Sequence, residues 1–330
     1  MLKHLKVPEI EAQETKAFLE DCKALNDSFL PIKEDGYVLW PLNFEVEGEI
    51  IECIGLQSKR VSRDYRLKLP PKIREIAPRA FDIFGSIAII KLSDELLEYS
   101  NIIAESLLSS NSNIDRVALD LGVKGEYRLR ELEMIAGESN FVSVHKENGF
   151  EFELDISKVY FSPRLAMERK RIYDLSTGEQ VLDAFAGASP FSVALASKGC
   201  NITAVDANPQ AEIWSNNNFQ LNGVSKSNYT FICSKIEDLV SDLPDYDRIL
   251  MNNPTNSLPY LKPLSDKLKS GGVIHLYNII DKRVKFDIQD FLGSEFECVF
   301  EREVHPYSAQ SSLKVFDIHK SFINVQSTNQ

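Results

Sequence analysis

The chain has 330 residues, 43% of them hydrophobic and 26% charged, enough for two or three domains with a core in each. No apolar run is long enough to span a bilayer, and the N-terminal Met1–Glu9 segment lacks the apolar core of a signal peptide. The five cysteines are scattered without a Cys-x-x-Cys pair, and the five histidines form no cluster, so neither a disulfide framework nor a metal site is expected and a cytoplasmic location is. The net charge of -12 argues weakly against nucleic acid as a partner, but the charge is segregated. Between Lys59 and Lys91 lie nine Lys or Arg (Lys59, Arg60, Arg63, Arg66, Lys68, Lys72, Arg74, Arg79, Lys91), opposed only by Asp64, Glu75 and Asp82. A second basic run holds Arg164, Arg169, Lys170 and Arg171, relieved by Glu168. A solvated charged face explains either cluster alone. Two of them in an acidic chain favour a polyanion-binding surface.

In chain order, residues 1–69 read as a small α/β module. Its helix spans about Ile10–Ala24, and its strands lie near Tyr37–Trp40 and Phe44–Ile54 after the turn signal Glu34-Asp-Gly36. Lys59–Pro71 reads as a connector, because Pro70-Pro71 is expected to interrupt regular structure. Residues 70–158 read as an α+β module: a turn and apolar strand in Phe81–Ile90, a helix over Ser93–Leu108 with Ser93 as N-cap, and strands at Val117–Leu121, Glu133–Ile135, Phe141–His145 and Phe150–Asp155. Glu147-Asn-Gly149 marks a hairpin between the last two.

Residues 159–330 alternate strand and helix. Strands are expected at Gln180–Phe185, Asn201–Asp206, Tyr229–Cys233, Asp247–Asn252 and Val273–Asn278, with helices at Pro209–Leu221 and Pro259–Lys269 and a C-cap turn at Gly271-Gly272. Such alternation implies a mainly parallel sheet covered on both faces. Phe296–Val304 and Leu313–Phe322 read as a terminal antiparallel hairpin, and Ser327–Gln330 as a frayed end.

The most informative stretch is Val181-Leu-Asp-Ala-Phe-Ala-Gly-Ala-Ser-Pro190 followed by Ile202-Thr-Ala-Val-Asp-Ala-Asn-Pro209. It has the layout of a nucleotide-binding strand–turn–helix–strand unit, with Asp206 placed to accept hydrogen bonds from ribose hydroxyls. The turn has one glycine, Gly187, and nothing built to wrap a pyrophosphate. A nucleoside without phosphates is implied, and S-adenosylmethionine (SAM) fits best. Ligands of such sheets bind beyond the carboxyl ends of the strands. That rule gathers the Asp183–Pro190 turn, Asp206, the Cys233–Asp238 segment and Asn252-Asn-Pro-Thr255. Asn252-Asn-Pro254, a rigid turn at a strand end, suits holding a planar amino group such as a nucleobase edge. Alternatively it is a plain polar loop. Arg164, after the rigid Ser162-Pro163, suits a carbonyl oxygen or phosphate, or a domain-linking ion pair with Glu168 or another carboxylate.

Together these residues resemble the Trm5 family of archaeal and eukaryotic tRNA methyltransferases, which methylate N1 of guanosine 37. The resemblance covers most of the chain. Its narrower motifs are Val159-Tyr-Phe-Ser-Pro-Arg-Leu165 and Gly125-Glu-Tyr-Arg128, and it extends to Pro78–Gly85, His145–Gly149, Asp183–Gly187, Asp206–Pro209, Asp247–Asn252 and Gly271–Tyr277. It implies a class I, Rossmann-like methyltransferase domain preceded by two small RNA-binding modules, with SAM as cofactor and tRNA, gripped at its anticodon arm and outer corner, as partner. A monomer is expected, with no membrane partner, and methyl transfer in line from a sulfonium needs no metal. By the same resemblance, cofactor contacts come from Phe161, Asp183, Phe185, Gly187, Asp206, Asn208, Ser234, Asp238 and Asn252, and substrate contacts from Arg128, Arg164, Asn252 and Pro254. Arg164, Asn252 and Pro254 would carry the catalysis.

Guanine N1 is a weak nucleophile until it loses its proton, so a general base is required, with Glu168, Glu237 and Asp238 as candidates. The chain departs from the family pattern at four positions. Ser189 stands where a second glycine is usual, Ser234 where an acidic residue is usual, Asn253 where an apolar residue is usual, and Ser86 where an aspartate is usual. A serine in a glycine-type conformation costs on the order of 1 kcal/mol. A lost adenine hydrogen bond costs about 1 kcal/mol more, so SAM binding is expected to be weakened without being abolished. The related enzymes that transfer the aminocarboxypropyl group of SAM during wyosine synthesis share the fold, and the Asn252-x-Pro254 turn argues against them. A tRNA-binding paralogue with weakened catalysis is the remaining alternative.

Overall fold

A computed structural model describes residues 1–57 and 64–322. Lys59, Arg60 and Arg63 of the first basic cluster, and the expected frayed end Ser327–Gln330, lie outside the described residues. The chain divides into two compact units, Met1–Lys68 and Leu69–Gln330.

The first unit is a four-stranded antiparallel sheet built from β1 (Leu2–Pro8), β2 (Ile32–Glu34), β3 (Tyr37–Pro41) and β4 (Glu49–Cys53), in the order β2-β3-β1-β4. Helix α1 (Ala12–Asp21), shorter than the sequence pattern suggests, closes it over a core that includes Leu5, Leu19, Val38 and Trp40. The N-terminal β1 is an interior strand that sequence reading missed. Its apolar residues Leu2, Leu5 and Val7 break strict alternation, so period-2 patterning does not reveal it. Phe44–Ile54 is a strand only over Glu49–Cys53. Pro71 does not interrupt structure but opens the helix Pro71–Ile76, because the first helical position needs no amide hydrogen and proline's φ is already suitable.

The second unit contains two structural parts. The first is a four-stranded sheet of β5 (Asp82–Phe84), β6 (Ile87–Ile90), β7 (Arg116–Lys124) and β8 (Leu129–Ala136), ordered β8-β7-β6-β5, with helix α2 (Ser100–Ser110). Ser93 precedes a 3-10 turn, Asp94–Tyr99, and makes no capping hydrogen bond. A separate hairpin, β9 (Val142–Glu147) and β10 (Phe150–Asp155), turns at Asn148-Gly149 as expected.

The second part is a seven-stranded sheet. Its strands are β11 (Gln180–Asp183), β12 (Asn201–Asp206), β13 (Tyr229–Cys233), β14 (Tyr246–Met251), β15 (Leu268–Asp281), β16 (Phe296–Pro306) and β17 (Ser311–Lys320), in the order β13-β12-β11-β14-β15-β17-β16. The first five are parallel, and β17 pairs antiparallel with both β15 and β16. Helices α3 (Ala166–Leu175), α4 (Pro190–Ser197), α5 (Pro209–Leu221) and α6 (Leu258–Ser265) complete the layers. This is the Rossmann-like α/β arrangement with a terminal antiparallel hairpin expected from the strand–helix alternation. Gly271-Gly272 is not a C-cap. It lies within the long strand β15, where the register slips from Tyr246↔Leu268 to Arg248↔Val273. Gly271 adopts φ +77°, and a Cβ on Gly272 would meet the Asp247 carbonyl at 2.8 Å, so a glycine pair suits a bulge here.

One apolar core runs through both parts: Phe84, Ile87, Phe152, Leu154, Phe161, Ile172, Val181 and Phe191 are all buried in it. The hairpin docks on α5 through polar clamps. Asn218 Oδ1 accepts the Glu153 amide at 2.7 Å, and Asn222 Oδ1 accepts the Glu151 amide at 2.9 Å.

Candidate cofactor and reaction site

The parallel order brings the ends of β11, β12 and β14 together, and the turns leaving them form the site. After β11 the backbone is tied on both sides: the Ala184 amide donates to the Leu250 carbonyl at 3.0 Å and the Ala186 amide to the Val205 carbonyl at 2.9 Å. Gly187 then adopts φ +53°, a left-handed conformation natural to glycine. Its amide donates to Asp206 Oδ2 at 2.7 Å, and the Asn208 amide donates to Oδ1 at 2.9 Å. Asp206 is thus fixed at the head of α5 and half-buried, and burial raises its pKa against the pull of the two amides.

Among the described residues, two acceptors at this end lack hydrogen-bond partners. Asp183 is buried; Oδ2 accepts the Ser192 hydroxyl at 2.7 Å, while Oδ1 has no partner. Burial pushes its pKa up to about 7. Asn252 Oδ1 is also buried without a partner. Asp183 pairs in register with Leu250, two residues before Asn252, so the orphan oxygens stand at neighbouring strand ends. An unpaired buried acceptor costs about 1–3 kcal/mol, so the site fits a ligand that brings N–H donors.

The Asn252–Pro254 turn is held from behind. Ser257, fully buried, accepts the Asn253 amide at 3.2 Å and points its hydroxyl at the carbonyls of Asn253 (2.7 Å) and Met251 (3.3 Å). The Pro254 carbonyl accepts the Ile279 amide at 2.9 Å. Sequence reading passed over Ser257; its signal was a serine just ahead of the Leu258-Pro259 helix start.

Arg164 sits in a 3-10 turn leading into α3, with its side chain 51% exposed. Its Nε donates to Asp82 Oδ1 at 2.9 Å, and Asp82 also accepts from Arg130 at 3.0 Å. The domain-linking ion pair is therefore present, with Asp82 as partner rather than Glu168. Arg128 is exposed on the β7–β8 turn at φ +52°. Its neighbour Glu126 pairs with Lys235 at 2.6 Å, which joins that turn to the segment after β13.

Of the rest of the second basic run, Lys170 is exposed, while Arg169 and Arg171 are turned inward. Arg169 is buried and grips Glu147 with both nitrogens while donating to the Ser162 carbonyl at 3.0 Å. Arg171 pairs with Asp317 at 2.6 Å and with Glu168 at 3.0 Å, and Lys170 pairs with Asp174 at 2.5 Å. The buried carboxylates Glu147, Glu168 and Asp317 thus use the Arg169 and Arg171 charges that sequence reading assigned to a binding face.

Glu168 is fully buried between Arg171, Arg302 and the Tyr277 hydroxyl, the last donating at 3.2 Å. Beyond Arg171 the chain of charges continues: Asp317 Oδ1 accepts His275 Nδ1–H at 2.6 Å, and Arg248 donates to His275 Nε2. A guanidinium can only donate, so the imidazole is neutral with its proton on Nδ1. Burial holds its pKa down at about 4, and the partners hold Asp317 at about 2.

Other expected contacts fall as follows. Phe161 is buried in an aromatic cluster with Phe84 and His145 and under the Arg169 guanidinium at 4.8 Å. Phe185 is half-buried against Tyr260, with ring centroids 5.5 Å apart. The Asn208 side chain is not open to a ligand: it caps α5 at the Gln210 amide (3.0 Å) and donates to the Lys158 carbonyl at 2.7 Å. Ser234 is half-buried, and Asp238 and Glu237 are exposed on the short helix Ile236–Leu239.

Residues 143–298 match the family model described as the TRM5/TYW2 methyltransferase domain, and residues 64–140 match the TYW2 N-terminal domain. The tRNA (guanine(37)-N(1))-methyltransferase Trm5b of Pyrococcus abyssi is 37% identical over 96% of this chain and 99% of its own length. The crystal structure of wild-type Trm5b from Pyrococcus abyssi superposes with a TM-score of 0.74 at 33% identity, covering 98% of this chain and 100% of that one. An aTrm5 in complex with tRNALeu gives 0.70 at 29% identity, covering 97% and 100%. The Methanocaldococcus jannaschii Trm5 in complex with adenosine gives 0.65 at 26% identity, covering 96% and 99%.

Proposed function

Since this chain belongs to the Trm5 family of tRNA (guanine37-N1)-methyltransferases, we propose that it methylates N1 of guanosine 37 in tRNA with SAM as donor. The observation that carries this reading is the pair of orphan buried acceptors, Asp183 Oδ1 and Asn252 Oδ1, at adjoining strand ends beside the Gly187–Asp206 turn. Asp206 and the backbone of the Gly187 turn would hold the ribose, and Asp183 would meet an amino group. When bound, SAM supplies an electrophilic methyl group on a sulfonium.

On this reading the chain's own residues orient the base and move one proton. The Asn252 side chain and the backbone of the Asn252–Pro254 turn hold the guanine edge, with Ser257 keeping that turn from moving. Arg164 directs a guanidinium toward O6, where negative charge develops as N1 loses its proton. Of the three candidate bases, Glu168 is spent on Arg171, Arg302 and the Tyr277 hydroxyl, whereas Glu237 and Asp238 are exposed and open to a substrate proton. Transfer from a sulfonium needs no metal, and one chain carries every group named, so a monomer suffices for this chemistry. Residues 70–158 and the first module would grip the tRNA outside the reaction site.

The aminocarboxypropyl alternative is not favoured, because the relative that matches almost the whole chain is a methyltransferase. The mass of the tRNA product tests the choice. A gain of one methyl group, recovered as 1-methylguanosine on digestion, is expected; a gain of an aminocarboxypropyl group would contradict it.

A further inference from the structure

The turn after β11 carries a strained residue. Ser189 adopts φ 62° and ψ 39° and is fully buried, although left-handed backbone disfavours L side chains. It stands at the N-cap position of α4 but its side chain makes no capping bond. Its hydroxyl instead meets the Ser215 hydroxyl at 2.6 Å. Ser215 is fully buried in the middle of α5. One turn further along α5, Asn218 Nδ2 donates to the Ala188 carbonyl at 3.0 Å, while Asn218 Oδ1 receives the Glu153 amide of the hairpin. Helix α5 therefore holds two consecutive residues of the turn, and Gly187 comes directly before them.

We propose that Ser215 is a positioning residue for SAM binding, which keeps Ser189 in its left-handed conformation and so preforms the Gly187 turn. The proposal rests on the reading of that turn as the SAM site. The two hydroxyls satisfy each other in a place water does not reach. Without Ser215, the Ser189 hydroxyl is buried without this partner on a backbone that is already disfavoured. Relief comes from moving Ser189, and Gly187 moves with it. A glycine at position 189 carries neither the hydroxyl nor the conformational penalty, so it removes the need for Ser215. The effect of losing Ser215 must then depend on what occupies position 189.

The test is a double-mutant cycle read by calorimetric SAM titration of the full chain and its Ser215→Ala, Ser189→Gly and doubly substituted forms. Ser215→Ala is expected to raise the SAM Kd roughly five- to thirtyfold, with the double variant returning close to Ser189→Gly. An equal rise in both backgrounds, or no rise despite a lowered melting temperature, overturns the proposal, because a merely structural role would act alike in both. Amide exchange separates this from the functional reading. If the unsubstituted protein binds no SAM, the functional reading fails. Exchange at Gly187 and Val193 then decides the positioning claim: faster in Ser215→Ala and restored in the double variant supports it, and unchanged exchange overturns it.

Discussion

Arg164 keeps half of its side chain in solvent while Asp82 fixes its Nε, so the guanidinium is aimed without being buried. Glu168 is its opposite, fully enclosed by two arginines and a tyrosine hydroxyl. If the first steadies charge on O6, Arg164→Ala should lower kcat about a hundredfold. The SAM Kd should stay within about twofold, a change of roughly 0.4 kcal/mol. Single-turnover methyl transfer beside SAM titration reads both, and a parallel loss of SAM affinity would remove the residue from that role. Asp183 makes a separate prediction about pH. Its folded pKa, about 7, lies above that of an exposed aspartate, so the neutral form is the one the fold favours. Its contribution to stability is full below about pH 4 and is lost as pH rises toward about 7. Denaturant unfolding should therefore show Asp183→Asn gaining stability relative to the parent between about pH 4 and pH 7. A constant difference across that range would contradict the assignment.

At the scale of elements, the strand-end turns carry the site. The Asn252–Pro254 turn gains its rigidity from Ser257, which lies outside the motif yet meets the Asn253 amide and carbonyl and the Met251 carbonyl just before the turn. Ser257→Ala should lower kcat roughly tenfold, the change expected when a turn that aligns reactants loosens, with a small effect on melting temperature. Unchanged kcat would show that Pro254 and the Ile279 amide suffice.

The same elements explain what sequence reading could and could not see. The strand–turn–helix alternation from Gln180 to Asn278 is local and periodic, so the sheet, Gly187, Asp206 and Asn252 were legible. The bulge at Gly271-Gly272 was not, because a glycine pair after a helix reads equally well as a cap. The long-range ion-pair partners were beyond local pattern: Asp82 and Arg164 are 82 residues apart, and Arg171 and Asp317 are 146 apart. A basic run in sequence therefore looked like a surface where the fold makes internal pairs. Ser189 was visible as an anomaly, but its partner on α5 was not.

At the scale of the molecule, the second unit joins the β5–β8 sheet, the β9–β10 hairpin and the seven-stranded sheet around one apolar core. Asp82 of the small sheet reaches Arg164, and Asn218 links the hairpin to the Gly187 turn, so within the second unit residues 70–158 are tied directly to the part assigned to chemistry. Among the described residues no helix is long and apolar enough to cross a membrane. The measurement that tests the central claim most directly is methyl transfer from labelled SAM to an unmodified tRNA with guanosine at position 37, beside the same tRNA with adenosine there. Label on the first alone, released as 1-methylguanosine, is the result the account predicts. Label on both, or on neither while tRNA still binds, would contradict it.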